Sequence, residues 1–123
     1  MQIEYRPNQT GNIAVVTGEE KVITDVQSAL DLVMTARYEG GAEKIAIDKH
    51  VVAEDFFILS TGLAGEILQK FTNYRVKAAF YGDFTRYTSK PLRDFIYESN
   101  QGNSVFFVPT QEEAVQRLAE CAL

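Results

Sequence analysis

Two adjacent hydroxyls carry the most specific chemical signal in this chain. Ser60 and Thr61 stand in Leu59-Ser60-Thr61-Gly62-Leu63, where Leu63, Ala64, Ile67, Leu68 and Phe71 begin to recur along one helical stripe. A helix start offers unpaired N–H groups and the positive end of the helix dipole. A phosphoryl group placed there is stabilised locally and adds roughly −2 charge to the surface. The same physics makes Ser60 or Thr61 a plain N-cap, so switch and cap both stand as readings. A second group is Asp48, Asp83 and Thr110, each just past an apolar run that reads as a strand. In open α/β sheets ligands gather outside the carboxyl ends of the strands. Two aspartates there can hold magnesium or exchange protons, with Lys49 or Lys90 handling an anion. Each also has a structural reading: Asp83 follows Gly82 in a turn, Thr110 caps a helix, and Asp48 pairs with Lys49 in solvent.

Chemistry that needs more residues is missing. No GxGxxG follows a strand, and there is no Walker loop, GxSxG elbow or HExxH. A lone histidine, His50, excludes paired-histidine metal sites, and His50 with Glu54 does not make a ligand shell. A lone cysteine, Cys121, excludes an internal disulfide framework and reads as an inert or surface thiol. No metal, cofactor or enzyme constellation is therefore expected. Twelve basic against seventeen acidic residues give a net charge of −5, which disfavours broad attraction to nucleic acid or anionic lipid. Residues 70–93 run the other way. Lys70, Arg75, Lys77, Arg86, Lys90 and Arg93 oppose Asp83 alone, amid Phe71, Tyr74, Phe80, Tyr81, Phe84 and Tyr87. Interleaved cations and aromatics can stack bases beside phosphates, but a buried strand flanked by solvated charges accounts for the same pattern.

The elements that must position these residues follow from periodicity. Ile3–Arg6 and Ile13–Val16 flank a turn-rich segment and read as a hairpin, followed after Gly18-Glu19-Glu20 by a short β run, Lys21–Ile23. Thr24-x-x-Gln27 fits a capping box opening a helix with Val26, Ala29, Leu30, Val33 and Met34 inward, ended by Gly40-Gly41. Then come a strand at 44–48, the helix after Gly62, a strand at 76–81 and a helix from Ser89–Pro91 to Asn100–Gly102. A strand at 105–108 and a helix capped by Thr110-x-x-Glu113, with Ala114, Val115, Leu118 and Ala119 inward, complete the order. Alternating strands and helices call for parallel pairing through right-handed crossovers. The expectation is one α/β domain over residues 1–123, with a mixed, mostly parallel sheet and about four helices.

Strand, loop, Ser-Thr-Gly-Leu, apolar helix, strand, helix resembles the STAS domains typified by anti-sigma factor antagonists. That family's phosphorylated hydroxyl immediately precedes the glycine, which implies Thr61 here with Ser60 beside it, although Leu59 stands where the family usually has Asp. A longer resemblance runs through Ile47-Asp48-Lys49, Glu54-Asp55-Phe56-Phe57, Thr61 to Phe71, Asn73-Tyr74-Arg75, Gly82-Asp83-Phe84, Ser89-Lys90 and Asp94 to Asn100. These blocks are similar to a small bacterial family, domain of unknown function 4180. The resemblance implies a shared surface of Asp48, Lys49, Glu54, Asp55, Lys70, Asp83, Ser89 and Lys90.

The leading expectation is a cytoplasmic, non-enzymatic, STAS-like regulatory module that binds a protein partner, switched at Thr61 or Ser60, with Gly62 beside them. Phe56 and Phe57 are expected to offer an exposed apolar contact or to pack inward. The alternative is a small enzyme or small-ligand or anion binder using Asp48 and Asp83. Open edge strands are compatible with a homodimer. The N-terminal residues lack the apolar run of a signal peptide, and no stretch approaches the ~18 apolar residues of a membrane span.

Overall fold

The computed structural model describes residues 1–121. The hairpin forms as its alternation demands: β1 (Gln2–Arg6) pairs antiparallel with β2 (Asn12–Thr17), Ile3 opposite Val16 and Tyr5 opposite Ala14. α1 (Val26–Gly40) then carries the chain to β3 (Ala42–Asp48), parallel to β2. Three 3-10 turns follow, at Lys49–Val51, Glu54–Phe57 and Leu59–Thr61. α2 (Leu63–Asn73), β4 (Lys77–Tyr81), α3 (Lys90–Gln101), β5 (Val105–Val108) and α4 (Gln111–Glu120) complete the described order. The sheet has five strands in sequence order, parallel from β2 to β5. The α/β class, the mixed and mostly parallel sheet and the four helices are as expected.

Side-chain alternation along the strands divides the core in two. Ala14, Val16, Ile45, Ile47, Ala78, Phe80 and Phe107 face α1, α2 and α3, and bury Ala29, Leu32, Val33, Ala36, Ala64, Ile67, Phe71 and Leu92 with them. Ile13, Val15, Ala46, Ala79, Phe106 and Val108 face the other way, where among the described helices only α4 covers them, with Ala114 and Leu118. The three crossovers all step in the same direction along the sheet, so one connection hand places three helices on one face. Lys44 also lies on the α4 face and is 2% exposed. Its ammonium donates to the Cys121 carbonyl at 2.7 Å and the Thr10 hydroxyl at 2.9 Å, at the C-terminal, electronegative end of α4.

Several local expectations are corrected. Lys21–Ile23 forms no sheet strand: the Val22 and Ile23 N–H groups both donate to the Val51 carbonyl, and Ile23 makes one isolated bridge to Val52. The α1 capping box lies one residue later than Thr24 and Gln27. Asp25 accepts from Ser28 N–H at 2.8 Å, and the Ser28 hydroxyl accepts from Asp25 N–H at 3.1 Å. A carboxylate accepting a helix N–H outcompetes the preceding threonine. Within α1 the most buried side chains are Ala29, Leu32, Val33 and Ala36, with Leu30 half-buried. Ala119 is exposed, and the Cys121 thiol is buried rather than at the surface. The ends of α3 fall as expected, with Ser89 accepting from Leu92 N–H and Gly102 closing the last turn. Thr110 caps α4 by accepting from Glu113 N–H.

Candidate functional site

The carboxyl ends of β3 and β4 gather most of the predicted polar residues, and hydrogen bonds spend several of them locally. Asp48 ends β3 and accepts from His50 N–H at 2.9 Å, with His50 Nδ1 2.8 Å from the same oxygen. It caps the first 3-10 turn. Asp83 follows β4, and one carboxylate oxygen accepts from Thr85 N–H at 2.9 Å and from the Thr85 hydroxyl at 2.5 Å. The Thr85 hydroxyl and amide bonds hold its carboxyl below the usual aspartate range, helped by Arg86 and Lys49. Each aspartate is thus a turn-forming group, and among the described residues no set of three His, Cys, Asp or Glu side chains converges for a metal.

Lys49 links the two loops. Its Nζ lies 4.9 Å from the Tyr87 ring centroid, 5.9 Å from that of Phe57 and 4.0 Å from the Glu54 carboxylate. The Tyr87 hydroxyl donates to the same carboxylate at 3.2 Å. Burial, then the Glu54 charge, push the Tyr87 phenol far above its ordinary value of 10, so it remains a donor throughout the physiological range. Gly82 makes the close approach of these loops feasible. Its φ is 149°, and a Cβ there would meet the Lys49 Cβ at 2.8 Å.

Phe56 and Phe57 do not form an exposed contact. They are 1% and 3% exposed, and Phe57 stacks on Tyr87 with centroids 5.2 Å apart. The apolar group left at the surface is their neighbour Ile58, 50% exposed.

Ser60 and Thr61 differ. Neither caps α2: the cap is Gly62, with φ of 79°. The Thr61 hydroxyl hydrogen lies within reach of the Asp55 carbonyl at 2.8 Å and the Ile58 carbonyl at 2.9 Å, and its oxygen accepts from Leu63 N–H at 3.2 Å. It staples the turn. Ser60 is exposed, and among the described residues its hydroxyl has no hydrogen-bond partner. A groove of about 420 Å³ runs from Phe57–Ser60 to Arg86–Ser89, Pro91 and Leu92, so Ser60 and Ser89 share it. Asp55 is exposed beside this turn. Lys90 pairs with Asp94 at 2.6 Å on the outer face of α3, and Lys70 lies on the exposed face of α2 beside Glu66. Those two lysines are not part of the groove. In the basic segment Phe71, Phe80 and Tyr81 are buried, which leaves them no free face for stacking bases.

Sequence reasoning counted Arg86 and Arg93 only among the cations of the basic segment and gave Tyr97 and Asn100 no site role. The Asn100 side chain donates to the Phe107 carbonyl at 3.0 Å and accepts from Phe107 N–H at 2.8 Å, pairing with the edge strand as a sixth strand would. Its position in the expected helix-closing Asn100–Gly102 masked that role. Among the described residues, no helix is long and apolar enough to cross a membrane.

No curated protein matches the chain significantly. Among solved structures, a Thermotoga maritima protein described as a candidate anti-sigma factor antagonist is similar. It shows 15% identity and a TM-score of 0.46, over 94% of this chain and 93% of that one. The family described as Domain of unknown function (DUF4180) matches residues 8–118, most of the chain, and the protein therefore belongs to the DUF4180 family.

Proposed function

We propose that this chain is a non-enzymatic regulatory module that binds a protein partner along the groove between residues 57–60 and residues 86–89, 91 and 92, switched by phosphorylation at Ser60. The observation that carries the reading is the contrast between neighbouring hydroxyls. Both residues are exposed, but the Thr61 hydroxyl is tied into its turn, whereas that of Ser60 has no hydrogen-bond partner among the described residues. Across the groove stands Arg86, exposed and in no ion pair among the described residues. A kinase acting here transfers a phosphoryl group from a nucleoside triphosphate to Ser60 Oγ, releasing the diphosphate and the hydroxyl proton. The product carries about −2 charge opposite the exposed Arg86 guanidinium, a pairing that reshapes the groove surface. Half-exposed Ile58 supplies an apolar contact at the rim. The local duties of Asp48 and Asp83 favour this reading over acid–base catalysis.

The test is quantitative capture from lysate of the native cells with wild-type, Ser60→Glu and Arg86→Glu chains, all checked for native circular dichroism. A partner whose affinity changes at least ~tenfold in both variants is expected, since an ionic contact to a charged group contributes about 1.5–3 kcal/mol. Identical partners and affinities for all three chains would refute the proposal.

A further inference from the structure

At one point in the sheet, neighbouring strands send their chains to opposite faces. β4 leads through residues 82–89 into α3, on the three-helix face, and β5 leads through Pro109-Thr110 into α4, on the other. Connections that diverge in this way open a crevice outside the carboxyl ends of the two strands, where open α/β sheets take their ligands. A cavity of about 580 Å³ lies there, bounded by Gly82–Thr85, the end of β5 with Pro109, and Arg93, Ile96, Tyr97 and Asn100 of α3. Its volume falls within the ~300–1,000 Å³ of small-molecule sites. It shares no lining residue with the groove beside Ser60.

Its walls are held without any occupant. Gly82 N–H donates to the Val108 carbonyl at 3.1 Å, joining the two strand ends, and the Asn100 amide fixes Phe107 from the other side. The apolar lining comes from Ile96 with Phe84 and Phe107, whose rings meet edge to face at 5.6 Å. Polar groups are few and specific. The Arg93 guanidinium is exposed, and among the described residues it makes no ion pair and no side-chain hydrogen bond. Tyr97 is 67% exposed, and its hydroxyl likewise has no partner. The one acid in the lining, Asp83, is bound by Thr85 and balanced by Arg86 and Lys49.

We propose that this crevice binds a small aromatic carboxylate, its ring against Phe84, Ile96 and Phe107 and its carboxylate on Arg93. A guanidinium matches a carboxylate with two parallel hydrogen bonds, and a preformed apolar floor favours a flat, rigid body over a flexible chain. An amine of the same shape meets Arg93 as a like charge and is excluded.

The experiment titrates indole-3-acetate into the intact chain, followed by calorimetry and by backbone amide spectra, with tryptamine as the same ring of opposite charge. Saturable binding is expected, with shifts confined to residues 82–85, 93–100 and 107–109. Arg93→Gln is expected to weaken it at least ~tenfold, as is exchanging the ligand for tryptamine. Arg93 is exposed, so the variant keeps its fold, which a thermal melt checks. Absence of saturation, equal binding by Arg93→Gln, or equal binding of tryptamine overturns the proposal.

Discussion

Removing the Asn100 side chain isolates a single structural device. In Asn100→Ala the buried edge residue Phe107, 4% exposed, loses a partner for both its N–H and its carbonyl. Each backbone group left unpaired costs about 1–3 kcal/mol, less where water can reach the strand edge. The exchange returns about 0.5 kcal/mol of helix propensity. The net loss is about 2–3 kcal/mol, a fall of roughly 6–12 °C in melting temperature for a chain of this size. The second contact of this residue survives, because Arg117 binds the Asn100 main-chain carbonyl at 2.8 Å. Urea unfolding measured by circular dichroism gives the stability, and hydrogen exchange at the Phe107 amide reads the bond directly. Asn103→Ala, on the exposed α3–β5 loop, is the control and is expected to change little. A loss below about 0.5 kcal/mol, or a Phe107 amide as protected as before, would refute the idea that this side chain completes the sheet edge.

Two further predictions concern strain and charge. Gly82→Ala forces a Cβ into a positive φ of 149° and to within 2.8 Å of the Lys49 Cβ, and is expected to cost about 2–4 kcal/mol in urea unfolding. A wild-type midpoint in that variant would count against the close packing of the two loops. Burial holds the Lys44 ammonium below its ordinary 10.5, so the native state gives up its proton before the unfolded chain does. Stability from this group therefore rises with pH from the depressed native value up to about 10.5. Lys44→Met is expected to lose that rise, measured as unfolding free energy against pH, and an unchanged slope would exclude Lys44 as its source.

The regular elements were legible because their signals are local and repeated. The β5 run at 105–108, the Ser89 cap of α3 and the Thr110 cap of α4 all lie where composition and period put them. Lys21–Ile23 misled because an apolar run looks like a strand whichever carbonyl its N–H groups find, and here that is Val51 rather than a neighbouring strand. Residues 49–61 fold as three short 3-10 turns, whose threefold repeat is too brief to read, so the burial of Phe56 and Phe57 beneath Glu54 and Asp55 was not settled by sequence. At the site, Ser60 and Thr61 were found by type. Their division of labour depends on the carbonyls of Asp55 and Ile58, which only the turn brings within reach. Arg93 read as one cation among several in the basic segment and Asn100 as a helix-closing residue, because the β5 residue that gives Asn100 its meaning lies across a loop.

The unequal covering of the sheet bears on how the chain is made. Synthesis delivers it from the N-terminus, and all five strands precede α4. Once β5 has emerged, three helices are on hand to shield one side, while Ile13, Val15, Phe106 and Val108 on the other wait for Ala114 and Leu118. Until α4 docks, that face of the sheet is bare apolar surface. Cleavage near Pro109 would remove that cover and leave Ile13, Val15, Phe106 and Val108 to associate with other apolar surfaces.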